Sequence, residues 1–133
     1  MSKNWIESYE TFKKAFLKLK EFIDTDNGSE KDRSAIINAF QYTFELWWKT
    51  LQKYMQEQQL LEELGPAATI RGAFHYQFID DGEAFMAMLK DRNLITHTYK
   101  EDVAIDIYTN IKERYVDLLE EFIQEYDKKE PKV

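Results

Sequence analysis

Apolar side chains recur three or four residues apart along most of this chain, and this spacing constrains the fold more than any other feature. Residues three and four apart share one face of an α-helix, whereas a half-buried strand alternates with a period of two. The first such stretch contains Trp5, Tyr9, Phe12, Phe16, Leu19 and Ile23. The second contains Ile37, Phe40, Phe44, Trp47, Leu51 and Tyr54. The last contains Ile105, Tyr108, Ile111, Tyr115, Leu118 and Phe122. The sequence therefore predicts an all-α up-and-down bundle of four long helices plus one short helix.

Polar segments with capping residues set the expected limits of the first four helices. The first helix ends in Asp24-Thr25-Asp26-Asn27-Gly28, after which Ser29 caps the second. Gly65-Pro66 begins the short third helix, because proline is favoured at the first helical position. Asp80 or Asp81 caps the fourth, and this explains the acidic cluster there better than a magnesium site does.

The last helix is expected from about Tyr99 to Tyr126, and residues 127–133 form a polar, frayed tail. Trp47 and Trp48 are adjacent, so they point to different sides of the second helix and cannot both face the same core. We expect one of the two at an edge or at a subunit contact.

Size and composition predict one domain over residues 1–133, with three Trp, eight Tyr and nine Phe to fill its core. The absence of cysteine excludes disulfides and thiolate metal sites and suits a reducing compartment. Because neither a signal peptide nor a membrane-spanning run is visible, we expect a cytoplasmic protein. The net charge of −7 argues against a broad nucleic-acid surface, so any RNA would bind at a small local site or through a basic partner.

The chemistry-bearing stretch is Asp91-Arg92-Asn93-Leu94-Ile95-Thr96-His97-Thr98-Tyr99, where an arginine, a histidine and a tyrosine gather. In one continuous helix, Arg92 and His97 would point roughly 140° apart. Their joint action requires the helix to end between them, or a second subunit to complete the site. Thr98-Tyr99-Lys100-Glu101 has the form of a capping box and predicts a helix N-terminus there.

On that interpretation His97 lies just before the new helix, whose free amides and positive dipole end would attract an anion. The same dipole would favour the neutral imidazole that a general base requires. Arg92 continues the apolar stripe of Phe85, Met88 and Leu89, so its charge needs a partner, a ligand or an interface. The alternative is an arginine that reaches solvent from the core edge and a histidine that bonds at a cap. The R-x4-H spacing alone is too short to separate the two.

The sequence around this motif resembles the nucleotidyltransferase substrate-binding group of HEPN-domain proteins, the helical partners of minimal nucleotidyltransferases. The matching segments are Ile79–Phe85, Met88–Leu94 and Thr96–Tyr99, together with Phe40, Tyr42–Leu46, Trp48-Lys49, Ile70-Arg71 and Ala73-Phe74. Arg92, His97 and Tyr99 match the R-x4-H-x-Y form of the HEPN motif. The resemblance covers almost the whole chain, and the flanking segments make it specific.

The resemblance implies a toxin of a two-component toxin–antitoxin system, a metal-independent endoribonuclease controlled by a cognate nucleotidyltransferase. His97 and Arg92 would be catalytic, Asn93 would orient the phosphate or Arg92, and Tyr99 would accept a nucleotidyl group. A homodimer with Arg92–Tyr99 of both chains in one cleft is expected, with RNA or a nucleotide as ligand and no cofactor or metal.

Two other interpretations remain open from the sequence. The chain could be a non-catalytic subunit that binds substrate or nucleotide for its nucleotidyltransferase, or a helical adaptor without a site. No Gly-Ser with paired aspartates on a strand, no glycine-rich phosphate loop and no serine or cysteine triad is present, so the chain is not the nucleotidyltransferase itself. His75 has no second ligand at metal-binding spacing and is interpreted as structural.

Overall fold

The computed structural model describes residues 4–97 and 100–128, most of them helical. The helices are α1 (Asn4–Asp24), α2 (Glu30–Glu57), α3 (Pro66–His75), α4 (Gly82–His97), α5 (Glu101–Asn110) and α6 (Val116–Asp127), with a π-helical segment (Ile111–Tyr115) joining the last two. Since α5, the π-helical segment and α6 are continuous, we call them together the C-terminal helix. The predicted all-α architecture of four long helices and one short helix is confirmed. Of the helices described, none is both long and apolar enough for a membrane crossing.

The four long helices run alternately up and down. This follows from contacts that join Trp5 to Glu57, Tyr9 to Asp127, Lys20 to Glu120, Asp81 to Arg114 and Asn110 to Asp91. Helix α2 packs against α1, α3 and the C-terminal helix. These neighbours decide which of its side chains are buried.

Both adjacent tryptophans of α2 belong to the hydrophobic core. Trp47 is fully buried and stacks on Phe85 of α4 with ring centroids 4.5 Å apart, and Trp48 is only 8% exposed. The prediction that one of them lies at an edge is therefore wrong. Because α2 has neighbours on several sides, side chains that point in different directions from it still meet other helices.

The predicted caps explain where three helices begin. Ser29 Oγ accepts a hydrogen bond from the amide of Asp32 at 3.1 Å, and Asp81 Oδ1 accepts one from the amide of Ala84 at 3.0 Å. Helix α3 begins with Pro66, as predicted, after Gly65 at a φ of +108°. That positive φ is available to glycine at little cost, which makes the sharp entry into α3 possible.

The C-terminal helix begins later than the sequence suggested. Its first residue is Glu101 and its N-cap is Lys100, which makes no side-chain capping hydrogen bond. The observed start lies two residues after the expected start at about Tyr99, and Thr98 of the predicted capping box lies outside the described residues. At the other end α6 reaches Asp127, and residues 129–133 of the predicted tail lie outside the described residues.

The π-helical segment keeps one face of the C-terminal helix turned toward the core. Ile107, Ile111, Tyr115 and Leu119 are all buried and are spaced four residues apart. In a regular α-helix each such step would rotate the side chain by about 40°, and the wider π turn reduces that drift. Ile105, which the spacing pattern placed on the buried stripe, is 39% exposed.

Candidate functional site

Arg92 of α4 forms an ion pair with Glu45 of α2. Arg92 Nη2 donates to Glu45 Oε1, and Arg92 Nη1 donates to the side-chain oxygen of Asn93 at 3.0 Å. The side chains of Arg92 and Glu45 are 25% and 27% exposed, so the pair lies at the border between core and solvent. The sequence indicated that a charge on this stripe needs a partner, and Glu45 is such a partner.

Glu45 was not identified from the sequence as part of the site. Its other carboxylate oxygen, Oε2, lies 3.9 Å from Lys49 Nζ, one helical turn further along α2. Two cations therefore share one carboxylate, which leaves this group of three side chains with a net charge of +1. The available signal was a carboxylate directly beside the apolar stripe of α2, next to buried Phe44.

Helix α4 continues without interruption through His97, its last residue. The prediction that a helix ends between Arg92 and His97 is wrong. Five residues of continuous helix separate the two by roughly 140° around the helix axis. The side chain of His97 and the whole of Thr98 and Tyr99 lie outside the described residues, so these three candidates are not placed relative to Arg92.

The start of the C-terminal helix offers a poorer anion site than the sequence suggested. Glu101 and Asp102 are exposed in its first turn, and Glu101 forms an ion pair with Arg33 at 3.5 Å. Carboxylates in a first turn interact favourably with the positive end of the helix dipole and so compete with an incoming anion. Arg92 is therefore a better candidate for phosphate binding than the N-terminus of the C-terminal helix.

Asp91, next to Arg92, connects α4 to the C-terminal helix. Its Oδ2 accepts hydrogen bonds from Tyr115 Oη at 2.6 Å and from Asn110 Nδ2 at 3.1 Å. Burial raises the pKa of Tyr115 well above its usual value, and the hydrogen bond to Asp91 raises this pKa further. The hydroxyl therefore stays protonated and keeps donating. Neither Asp91 nor Tyr115 was recognised as a support of the site from the sequence.

The surface of α4 beside Asn93 carries exposed apolar side chains. A groove of about 370 Å³ is lined by Met86, Leu89, Lys90, Asn93 and Leu94. Met86 also borders a second groove, of about 580 Å³, whose lining includes Phe74 of α3. Met86 and Leu94 are each 36% exposed and Phe74 is 54% exposed, so a discontinuous apolar strip follows α4 toward the Arg92–His97 end.

The acidic cluster before α4 is accounted for by helix capping. Asp81 caps α4 and lies 3.9 Å from Arg114. His75, at the end of α3, packs edge-on against the ring of Tyr76. Within residues 4–97 and 100–128 there is no group of three or more histidine, cysteine, aspartate or glutamate side chains that could hold a metal ion.

An up-and-down helical bundle with R-x4-H at the end of its fourth helix has the architecture of a HEPN-like helical protein. The chain belongs to the family described as "Nucleotidyltransferase substrate binding protein like", which it matches over residues 7–128. The resemblance found in the sequence is thereby confirmed.

Two solved structures share the fold. A protein from Thermus thermophilus is 34% identical, with 86% of this chain and 97% of that chain covered and a TM-score of 0.77. The tri-AMPylated Shewanella oneidensis HEPN toxin, solved in complex with MNT antitoxin, is 18% identical; the match covers 98% of this chain and all of that chain, with a TM-score of 0.78. No curated protein matches this sequence.

Proposed function

We propose that this chain is a HEPN-type toxin of a two-component toxin–antitoxin system, a metal-independent endoribonuclease regulated by a partner nucleotidyltransferase. The observation that carries the proposal is Arg92, which Glu45 and Asn93 hold five residues before the histidine that ends α4. Family membership supports the link to a nucleotidyltransferase. The fold shared with a HEPN toxin that was solved with its MNT antitoxin supports the same conclusion.

The proposed reaction needs only acid–base chemistry and charge stabilisation. His97 takes the proton from the ribose 2′-hydroxyl or gives one to the leaving 5′-oxygen, while the 2′-oxygen attacks phosphorus and the bond to the 5′-oxygen breaks. General acid–base help contributes about 10²–10⁴ in rate. Arg92 stabilises the charge that develops on the phosphoryl group, worth about 10²–10³. Asn93 orients Arg92 through the hydrogen bond between their side chains.

A homodimer is part of the proposal. Since α4 is continuous, the backbone positions of Arg92 and His97 lie roughly 140° apart around the helix axis, and a second subunit offers the remaining route to a joint site. The apolar strip of Phe74, Met86 and Leu94 provides a surface for that contact beside Asn93. Two Arg92 side chains would also concentrate positive charge that a protein of net charge −7 otherwise lacks.

The partner nucleotidyltransferase controls the toxin by modifying Tyr99. This part rests on the sequence, in which Tyr99 stands two residues after His97 in the R-x4-H-x-Y motif. An adenylyl group on its hydroxyl adds a phosphodiester charge, which competes with RNA phosphate for Arg92. That the Shewanella oneidensis toxin is tri-AMPylated supports this form of control.

Cleavage of bulk cellular RNA in EDTA tests the proposal. We expect the wild-type chain to cleave, and Arg92→Ala and His97→Ala to lose cleavage while they keep the helical circular-dichroism spectrum. The matched controls are Arg71→Ala and His75→Ala, which remove an exposed arginine and the other histidine, both on α3. Both controls should cleave at the wild-type rate.

The results that would contradict the proposal are distinct. A His97→Ala chain that cleaves as fast as the wild type shows that His97 is not the acid–base group. A wild-type chain that binds RNA or a nucleotide in EDTA without cleaving RNA supports the non-catalytic substrate-binding subunit instead.

A further inference from the structure

Two features of the contact between Arg92 and Glu45 indicate that it holds the arginine side chain in a defined position. It joins two different helices, α2 and α4, across 47 positions of sequence. Glu45 also contacts only one of the two terminal nitrogens, Nη2, while Nη1 contacts Asn93. Of the five N–H donors of an arginine, two are used in the contacts among residues 4–97 and 100–128, which leaves three for a further acceptor.

We propose that Glu45 is a positioning residue, which fixes the guanidinium of Arg92 so that its remaining donors meet the reacting phosphate. This inference rests on the proposed endoribonuclease function. An arginine on a flexible stem occupies many rotamers, and only a fraction of them would place its donors on the phosphoryl oxygens. A side chain held in advance acts without reorganising during the reaction. Glu45 itself need not touch RNA.

The local charge is compatible with this role. A carboxylate beside Arg92 would weaken its attraction for phosphate if the pair were electrically neutral. Lys49 offsets this effect, since its Nζ lies 3.9 Å from the second oxygen of Glu45 and leaves the three side chains at net +1. The exposed quarter of the Arg92 side chain leaves a route by which an anion can reach it.

Kinetics of two Glu45 variants on bulk cellular RNA in EDTA test the inference. Glu45→Ala removes the acceptor, and we expect kcat to fall about 10- to 100-fold, as for other losses of a catalytic geometry. KM should stay near the wild-type value, because the lost interaction acts in the transition state. Glu45→Gln keeps an oxygen that can accept from Arg92 Nη2 and should restore most of kcat.

The matched control is Glu120→Ala, which removes the carboxylate of the ion pair between Lys20 of α1 and Glu120 of the C-terminal helix. In this pair Lys20 Nζ lies 2.6 Å from Glu120 Oε2, and the two side chains are 40% and 36% exposed. It should leave both kinetic constants unchanged. If Glu45→Ala unfolds, Glu45→Gln still decides, since it preserves the size and the acceptor.

Each other result overturns the inference in a recognisable way. A folded Glu45→Ala chain with wild-type kcat shows that Arg92 needs no positioning, while the proposed function stands. A faster Glu45→Ala chain shows that Glu45 masks Arg92. A folded Glu45→Gln chain as slow as Glu45→Ala excludes rescue through the hydrogen bond. A wild-type chain that cleaves no RNA removes the proposed function, and the positioning role with it.

Discussion

Replacing Asp26 by asparagine should destabilise the bundle by about 1–2 kcal/mol at neutral pH and by less at pH 3. Asp26 lies in the turn between α1 and α2, and its side chain is only 2% exposed. Its Oδ2 accepts hydrogen bonds from the Tyr108 hydroxyl and from Lys112 Nζ, and its Oδ1 accepts from the amide of Gly28. The carboxylate therefore connects the first turn of the chain to the C-terminal helix.

The magnitude follows from the ionisation of Asp26. Burial raises the pKa of Asp26, but the hydrogen bonds from Tyr108, Lys112 and Gly28 outweigh burial and lower this pKa from 3.8 to about 2. One pKa unit corresponds to about 1.4 kcal/mol, so the full shift would contribute about 2 kcal/mol. Because the Lys112 side chain is 34% exposed, solvent screens part of the attraction, and we expect about 1–2 kcal/mol.

The lowered pKa gives this contribution a definite dependence on pH. Ionised Asp26 is favoured in the folded chain, so its stabilisation is fully present well above pH 3.8, the value for the unfolded chain. It is lost as the pH falls toward 2, and about half is gone at pH 3. Other carboxylates titrate over the same pH range, but they are present in both the wild type and the Asp26→Asn variant. The difference in the free energy of unfolding between these two proteins therefore reports on Asp26 alone.

Urea denaturation at pH 7 and at pH 3 measures this difference. The matched control is Asp106→Asn on α5, an exposed aspartate that makes no hydrogen bond or ion pair in the described part of the chain. The control should stay within about 0.5 kcal/mol of the wild type at both pH values. A difference between wild type and Asp26→Asn that is the same at pH 7 and pH 3 would refute the assignment of the stabilisation to the ionised carboxylate.

Three further predictions concern the core, the dimer and the control site. Trp47→Ala should lower the free energy of unfolding measured in urea by about 3–5 kcal/mol. Trp47→Phe should lower it much less, since the indole N–H has no hydrogen-bond partner among the described residues. Equal losses in the two variants would contradict this prediction. Leu94→Glu should sediment as a monomer at concentrations where the wild type and Leu17→Glu, changed on a different helix, sediment as dimers. Co-expression with the cognate nucleotidyltransferase should add the mass of an adenylyl group to the wild type and not to Tyr99→Phe; a shift that persists in Tyr99→Phe places the modification elsewhere.

Local signals in the sequence were sufficient for most of the fold. Ser29, Pro66 and Asp81 mark helix starts because a cap or a first-turn proline acts within a few residues, and all three lie where they were expected. The start of the C-terminal helix was predicted less well, since this helix begins at Glu101 and its N-cap Lys100 makes no side-chain capping hydrogen bond. A capping box competes with continuation of the preceding helix, and α4 extends through Thr96 to His97.

The site was predictable only in part, because its contacts join distant positions. Arg92 was recognised from its place on an apolar stripe, but nothing near it in sequence indicates Glu45 on α2 as its partner. Trp48 was misjudged for a similar reason. Its burial depends on how many helices surround α2, which the spacing of apolar residues along α2 does not encode.

The π-helical segment makes the length of the C-terminal helix adjustable at one place. A π turn holds about one residue more than an α turn, so it absorbs an inserted residue without turning the following helix. Removing the exposed Glu113 would return the segment to α-helical pitch and leave the buried side of α6 where it is. Removing Asp106, also exposed, from α5 would turn the rest of the helix by about 100° and take Phe122 and Tyr126 out of the core. The first deletion should keep cooperative unfolding and the second should abolish it, so insertions and deletions during evolution would be tolerated at this turn and selected against on either side.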